Sequence, residues 1–242
     1  METIILNKKK INLNLEDHIL LNNDITYEGQ VYKYKGTALK LFNELRLENA
    51  HSFLNVNGFK DLVKLEPYMY RFVLPSHLVF NTKGKLIGYV TKLIGNEKDI
   101  NKIYNKNIKK IIHEFNLIKH DYILLTNNKF KLMDLTYNYI YNGNINIIDP
   151  GLYEKNLKFY LNNKQLKIDN LKAINEFLVG ITLFTSSNLN YYYNINNFLV
   201  RNYTKKYCEE IYFGDYIKEE AKIHGYESVN DLIQHQKTKM KY

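Results

Sequence analysis

The sequence predicts an α+β chain of two lobes, a small antiparallel β lobe over residues 1–95 and a short, mostly helical lobe over residues 96–242. Three observations predict it. Early segments alternate apolar and polar residues between tight turns, the period of strands. Segments from Asn170 onward repeat apolar residues at helical spacing. Between the two, a short pair of strand-like runs turns at Gly143.

Taken in order, "TIIL" and "INLNL" alternate about a lysine turn, and "GQVYKYKGTALKLF" makes a hairpin turning at Lys35 and Gly36. Around Leu41 to Leu54 the spacing becomes helical, with Leu41, Leu45, Phe53 and Leu54 apolar and Glu44 and Glu48 on the opposite face. Asn57 and Gly58 interrupt that pattern, and a second helical piece, "FKDLVKLE", ends at Pro67. "FVLPSHLVFN" turns through "NTKGK" into "LIGYVTKLI", a run with the β-branched and aromatic content of a buried strand. Ile108, Ile111, Ile112, Phe115 and Ile118 mark an amphipathic helix with lysines outside. "FKLMDLTYNYIYN" and "INIIDPG" are the runs about Gly143. "NLKAINEFLVGITLF", "INNFLVRNYTKKYCEEIYF" and "VNDLIQHQKTKM" then carry helical spacing, and "KTKMKY" reads as a frayed tail.

Composition bounds the function. A chain of 242 residues, 45% hydrophobic and 24% charged, makes one domain or one two-lobed unit with a real core. Its +9 charge attracts phosphate-bearing partners, but the lysines are scattered among asparagines and suit a solvated basic surface as well. The single cysteine, Cys208, cannot form an internal disulfide, which implies a reducing compartment, and "KYCEEIY" offers it no His or Asn. Seven dispersed histidines give no structural zinc pattern. The amino-terminal apolar patch precedes its lysines, the wrong order for a signal peptide, and no apolar run is long enough to span a bilayer. A cytoplasmic protein is expected.

Three pieces bear chemistry, and each also has a structural explanation. Lys40 stands in a strand between Leu39 and Leu41, where it is either an edge lysine or a buried one with a counter-charge. Asp134 and Asn138 in "DLTYN" are turn-forming residue types. Asp149 in "IIDPG" either starts a turn or ends a strand with a carboxylate free to hold a metal.

In their order along the chain, these pieces resemble the protein kinase fold family, including its shorter bacterial members, over roughly Asp24 to Tyr153. "VYKYKGTALK" is similar to that family's second and third strands, "LIGYVTKLI" to the strand entering its hinge, "DLTYN" to its catalytic loop and "DPG" to its Asp-Phe-Gly element. The resemblance implies a two-lobed protein kinase-like fold and ATP and Mg²⁺ as cofactors. It implies that Gly29, Val31 and Ala38 line the nucleotide site and that Lys40 neutralises the α and β phosphates. Lys92 to Ile94 offer backbone groups to adenine, Asp149 and Asn138 hold metal, and Asp134 accepts the proton of an attacking hydroxyl. The family also pairs its lysine with an acid. Glu48, eight residues on, and Asp61 both sit on helical stretches, and Asp61 leaves more chain to return across the sheet.

The chain departs from the family pattern. Only Gly29 remains of the glycine-rich loop, Asp24 and Thr26 standing where earlier glycines fall, and "KLMD" replaces His-Arg-Asp. Asp134 and Asn138 are four apart where five is usual. Three functions follow: an ATP- and Mg²⁺-dependent phosphotransferase acting on a hydroxyl of a protein or small molecule, a pseudokinase serving as a nucleotide-responsive interaction module, or a basic nucleic-acid-binding protein. No recognised nucleic-acid module supports the last.

Overall fold

Two tight turns organise the sheet of this protein, a computed structural model that describes residues 2–21, 28–43, 46–47, 54–98, 106–135, 138–155, 163–183 and 210–239. Asn7 and Lys8, both at positive φ, join β1 (Glu2–Leu6) to β2 (Lys9–Leu13), and Lys35 and Gly36 do the same for β4 (Gly29–Tyr34) and β5 (Thr37–Phe42). Two consecutive left-handed residues match the twist of a two-residue hairpin, so both turns hold their register. With β3 (Ile19–Leu20), β6 (Pro75–Asn81) and β7 (Leu86–Lys92), they form a seven-stranded antiparallel sheet in the order β2-β1-β6-β7-β5-β4-β3.

The pleat divides the sheet. Leu39 and Leu41 pack with Ile4, Leu13, Val79 and Val90 on one face. Tyr89 and Leu86 face the larger core, with Phe59 and Leu62 of α1 (Val56–Leu65). That core continues through α2 (Ile108–Asn127), α3 (Asn163–Leu183) and α4 (Phe213–His224), where Phe115, Ile118, Ile174, Phe177 and Phe213 meet. Burying each such side chain contributes about 1.5–3 kcal/mol. Short strands β8 (Phe130–Lys131), β9 (Tyr139–Tyr141), β10 (Ile145–Ile147) and β11 (Glu154–Lys155) lie between α2 and α3, and α5 (Val229–Lys239) follows α4.

The α+β class, with an antiparallel sheet lobe and a helical lobe, is as the sequence implies. Several boundaries differ. Leu41 is in β5, not a helix. Asn57 and Gly58 do not interrupt a helix but form the first turn of α1, because the Asn55 side chain accepts from the Gly58 amide and caps it. Helix α3 starts at Asn163 rather than near Asn170, and α5 runs to Lys239, into the expected tail. The segment "FGDYIKEEAKIH" forms the separate helix α4, stopped by Gly225 at φ +69°. Glu44, Leu45, Glu48, Phe53 and Cys208, and most of the helix expected over "INNFLVRNYTKKYCEEIYF", lie outside the described residues.

Candidate functional site

Register places the central lysine. Lys40 on β5 lies opposite Val31 on β4 and Tyr89 on β7, so these three side chains form one row across the sheet. Alternation turns Lys40 away from the Leu39 face. Its residue is only 4% exposed, and an ammonium so buried needs compensating charge. It finds two carboxylates, donating to Glu28 Oε2 and to Asp149 Oδ2. The other oxygen of Glu28 accepts from Arg46 at 2.9 Å, and the Arg46 guanidinium lies 4.0 Å from the centre of the Phe42 ring. Two cations and two carboxylates balance.

Asp149 comes to this row from the other lobe. Hairpin β9–β10 pairs Ile147 with Tyr139, and Ile147 also bridges Phe72 in parallel, taking an amide bond from Val73 and giving one to Arg71. The segment just before β6 is held by Asp121 of α2. Its fully buried carboxylate accepts from the backbone amides of Tyr70, Arg71 and Phe72 at 2.6–3.1 Å. Asp149 then adopts φ +58°, ψ +68° before Pro150, a left-handed conformation uncommon for a residue with a side chain. Its second oxygen, Oδ1, accepts from the Tyr89 hydroxyl at 2.9 Å.

Charge is unevenly shared. Burial, and then the neighbouring Asp149 charge, push the Glu28 carboxyl up to about 7 against the opposing pull of Lys40 and Arg46. Burial acts to raise Asp149 as well, but the Lys40 ammonium and hydrogen bonds from Glu28, Lys40 and Tyr89 hold it below the ordinary carboxylate value. Of the two carboxyls, Glu28 therefore takes a proton before Asp149 does. Burial and both carboxylates also push the Tyr89 phenol well up, keeping it a donor.

Above the row lies a cavity of about 350 Å³, within the range of small-molecule sites. Val31, Ala38, Lys40, Lys92, Ile94 and Asp149, all expected at a nucleotide site, line it. Ile140 of β9 and Ile148, just past β10, also line it, so aliphatic groups share the cavity with a cation and a carboxylate. These residues fit a flat base with a charged tail. Among the described residues no three His, Cys, Asp or Glu side chains gather as a metal site. Asp149 is the carboxylate beside Lys40 in the cavity, and Mg²⁺ takes one or two protein carboxylates and completes its shell with water and phosphate.

Asp134 and Asn138 stand apart from this row and do not line the cavity. Asp134 is exposed, at φ +50°, and the Asn138 amide donates to its carbonyl at 2.7 Å and its carboxylate at 3.1 Å. The Asn138 main-chain carbonyl accepts from the Ile148 amide, tying the loop to the strand beside Asp149. Asn170 of α3 fixes the loop's entry: its amide donates to Phe130 O and Thr126 Oγ1, and its oxygen accepts from Leu132 N.

Two expectations are corrected. Asp61 does not meet Lys40; its carboxylate accepts from Lys64 at 2.8 Å and from Lys155, because α1 turns that face toward β11. Gly29 does not line the cavity. It sits within the sheet where an added Cβ would come 2.0 Å from Leu41 O, so it serves strand packing. Asp24 and Thr26 lie outside the described residues. The residues not foreseen are Glu28, Arg46, Tyr89, Asp121 and Asn170. Strict alternation back along β4 assigns Glu28 to the Leu39 face; Gly29, at φ +157°, breaks the pleat and returns it to Lys40. The "DPG" glycine was a signal for Glu28, since a Cβ at Gly151 would come 2.4 Å from Glu28 Oε1.

No family model and no curated protein matches the chain. Among the solved structures that match is one described as Legionella pneumophila Lpg2603 kinase bound to IP6, at 14% identity and a TM-score of 0.45, over 96% of this chain and 86% of that one.

Proposed function

We propose that this chain is an ATP- and Mg²⁺-dependent phosphotransferase of the protein kinase-like class, acting on a hydroxyl of a protein or small molecule. The observation that carries it is Lys40, a buried strand cation that meets Asp149 at the end of an aliphatic cavity bordered by the Lys92–Ile94 connector. In this reading Val31, Ala38 and Ile148 enclose the base, and backbone groups of Lys92 to Ile94 hydrogen-bond its edge. Lys40 orients the α and β phosphates while Glu28, itself fixed by Arg46, holds its ammonium in place. Asp149 and Asn138 would hold Mg²⁺, which would supply charge neutralisation at the phosphates. Asp134 takes the proton of the acceptor hydroxyl, and positioning with charge compensation does the rest.

Replacing Asp149 by alanine tests the assignment. ATP with Mg²⁺ raises the melting temperature of the wild type, since a ligand bound only by the native state stabilises it, and the variant loses that shift. An unchanged shift in the variant rejects the metal role.

A second reading, the pseudokinase, has one observation behind it. The Asn138 amide closes on Asp134 within the shortened turn, which engages the carboxylate meant for the acceptor. ATP-dependent stabilisation with no transfer of label from γ-labelled ATP by the wild type across several lysates favours it.

A further inference from the structure

We propose that a second cavity, on the reverse side of the β9–β10 hairpin, binds a compact polyphosphorylated small molecule. Neighbouring strand residues point to opposite faces, and the hairpin uses both: Ile140 faces the first cavity, whereas Tyr141 and Ile145 line the second. This second cavity, of about 560 Å³, is lined by Arg71, Lys106, Lys109, Lys110 and His113, with Glu114 as its single carboxylate. Three positive charges are in excess even with His113 neutral.

The arrangement of these groups selects an anion. Glu114 is engaged by Arg71 through two bonds of 2.7 Å, which leaves the carboxylate little capacity to neutralise the lysines. None of the ion pairs between described residues involves Lys106, Lys109 or Lys110. Lys106 is instead braced by Gly143 O at 2.8 Å and by the Tyr141 ring, 5.1 Å from its ammonium.

Shape restricts the occupant further. An extended nucleic acid or acidic peptide needs a groove, but this is a concave site of small-molecule size bounded by α2 and the hairpin. Several phosphate groups on one small skeleton place enough acceptors in that space to meet three lysines.

Isothermal titration with sodium tripolyphosphate, on the full chain with Mg²⁺ chelated, tests this independently of the phosphotransferase reading. Wild type and Thr91→Glu, which adds a carboxylate to the first cavity, show saturable binding, and Lys109→Glu/Lys110→Glu weakens it by roughly tenfold or more, as reversing charges at a phosphate site does. Both lysines are exposed on α2, so the double variant keeps its core, and an unchanged melting temperature verifies it. The proposal is overturned by wild type that does not bind saturably, by equal affinity in the double variant, or by loss of binding in Thr91→Glu at an unchanged melting temperature, which assigns the anion to the first cavity. Wild type that sediments with phosphatidylserine vesicles, undisplaced by tripolyphosphate, also overturns it, in favour of a lipid surface.

Discussion

Lys40 and Asp134 belong to the two halves of the proposed reaction, yet they are held in opposite ways. Lys40 is 4% exposed in a paired strand, with its ammonium between two carboxylates. Asp134 is exposed at positive φ on a loop secured mainly by its main chain, through Asn170 before it and Asn138 after it. The first arrangement cannot change without disturbing the sheet. The second can lose its side chain with little effect on anything around it. In the proposed reaction nucleotide binding is thus tied to stability, while proton transfer is separable from it.

The most severe way to sharpen that contrast is Asp134→Asn. It lowers label transfer from γ-labelled ATP by about 10²- to 10⁴-fold, as loss of a positioned general base does. The melting temperature and its shift with ATP and Mg²⁺ stay as in wild type. Equal transfer by both proteins makes Asp134 a turn residue only.

Next comes Glu28→Ala, which acts on the other region. It leaves Lys40 with one carboxylate and removes the carboxylate that Arg46 meets at 2.9 Å, and breaking such a buried network costs about 3–5 kcal/mol. Denaturant unfolding measures it, and a loss below about 0.5 kcal/mol, the usual range for surface substitutions, contradicts the buried network.

The smallest effect is the dependence on pH. Glu28 binds its proton more tightly folded, near 7, than at its ordinary 4.5, so its contribution to stability is complete below 4.5 and is lost as pH rises through 7. Between those values the melting temperature without nucleotide falls with rising pH more steeply in wild type than in Glu28→Gln. Parallel curves for the two proteins refute the assignment of that proton.

The two regions also differed in how far the sequence disclosed them. Apolar alternation around Lys35–Gly36 was enough to place Lys40 in a strand, and the Ile-Asp-Pro-Gly run was enough to single out Asp149. Their meeting followed only from the order of pieces along the chain. Glu28 was hidden because a single glycine, Gly29, reverses the face that alternation assigns to it. Asp121 and Asn170 were hidden for another reason: a carboxylate or amide in a helix looks like a solvated face until the backbone amides it caps are known. Asp61 misled in the converse sense, a helix acid whose lysines proved to be Lys64 and Lys155.

The position of Glu28 has a consequence for the order of assembly. Glu28, Lys40 and Arg46 fall within one hairpin and its exit, Glu28 being 12 residues from Lys40 and 18 from Arg46, whereas Lys40 and Asp149 are 109 apart. Closing the longer loop costs about 2 kcal/mol more in chain entropy. The local triad can therefore form while the second lobe is still unfolded, as contacts close in sequence tend to do. Asp149 then docks onto a lysine whose direction Glu28 has already set.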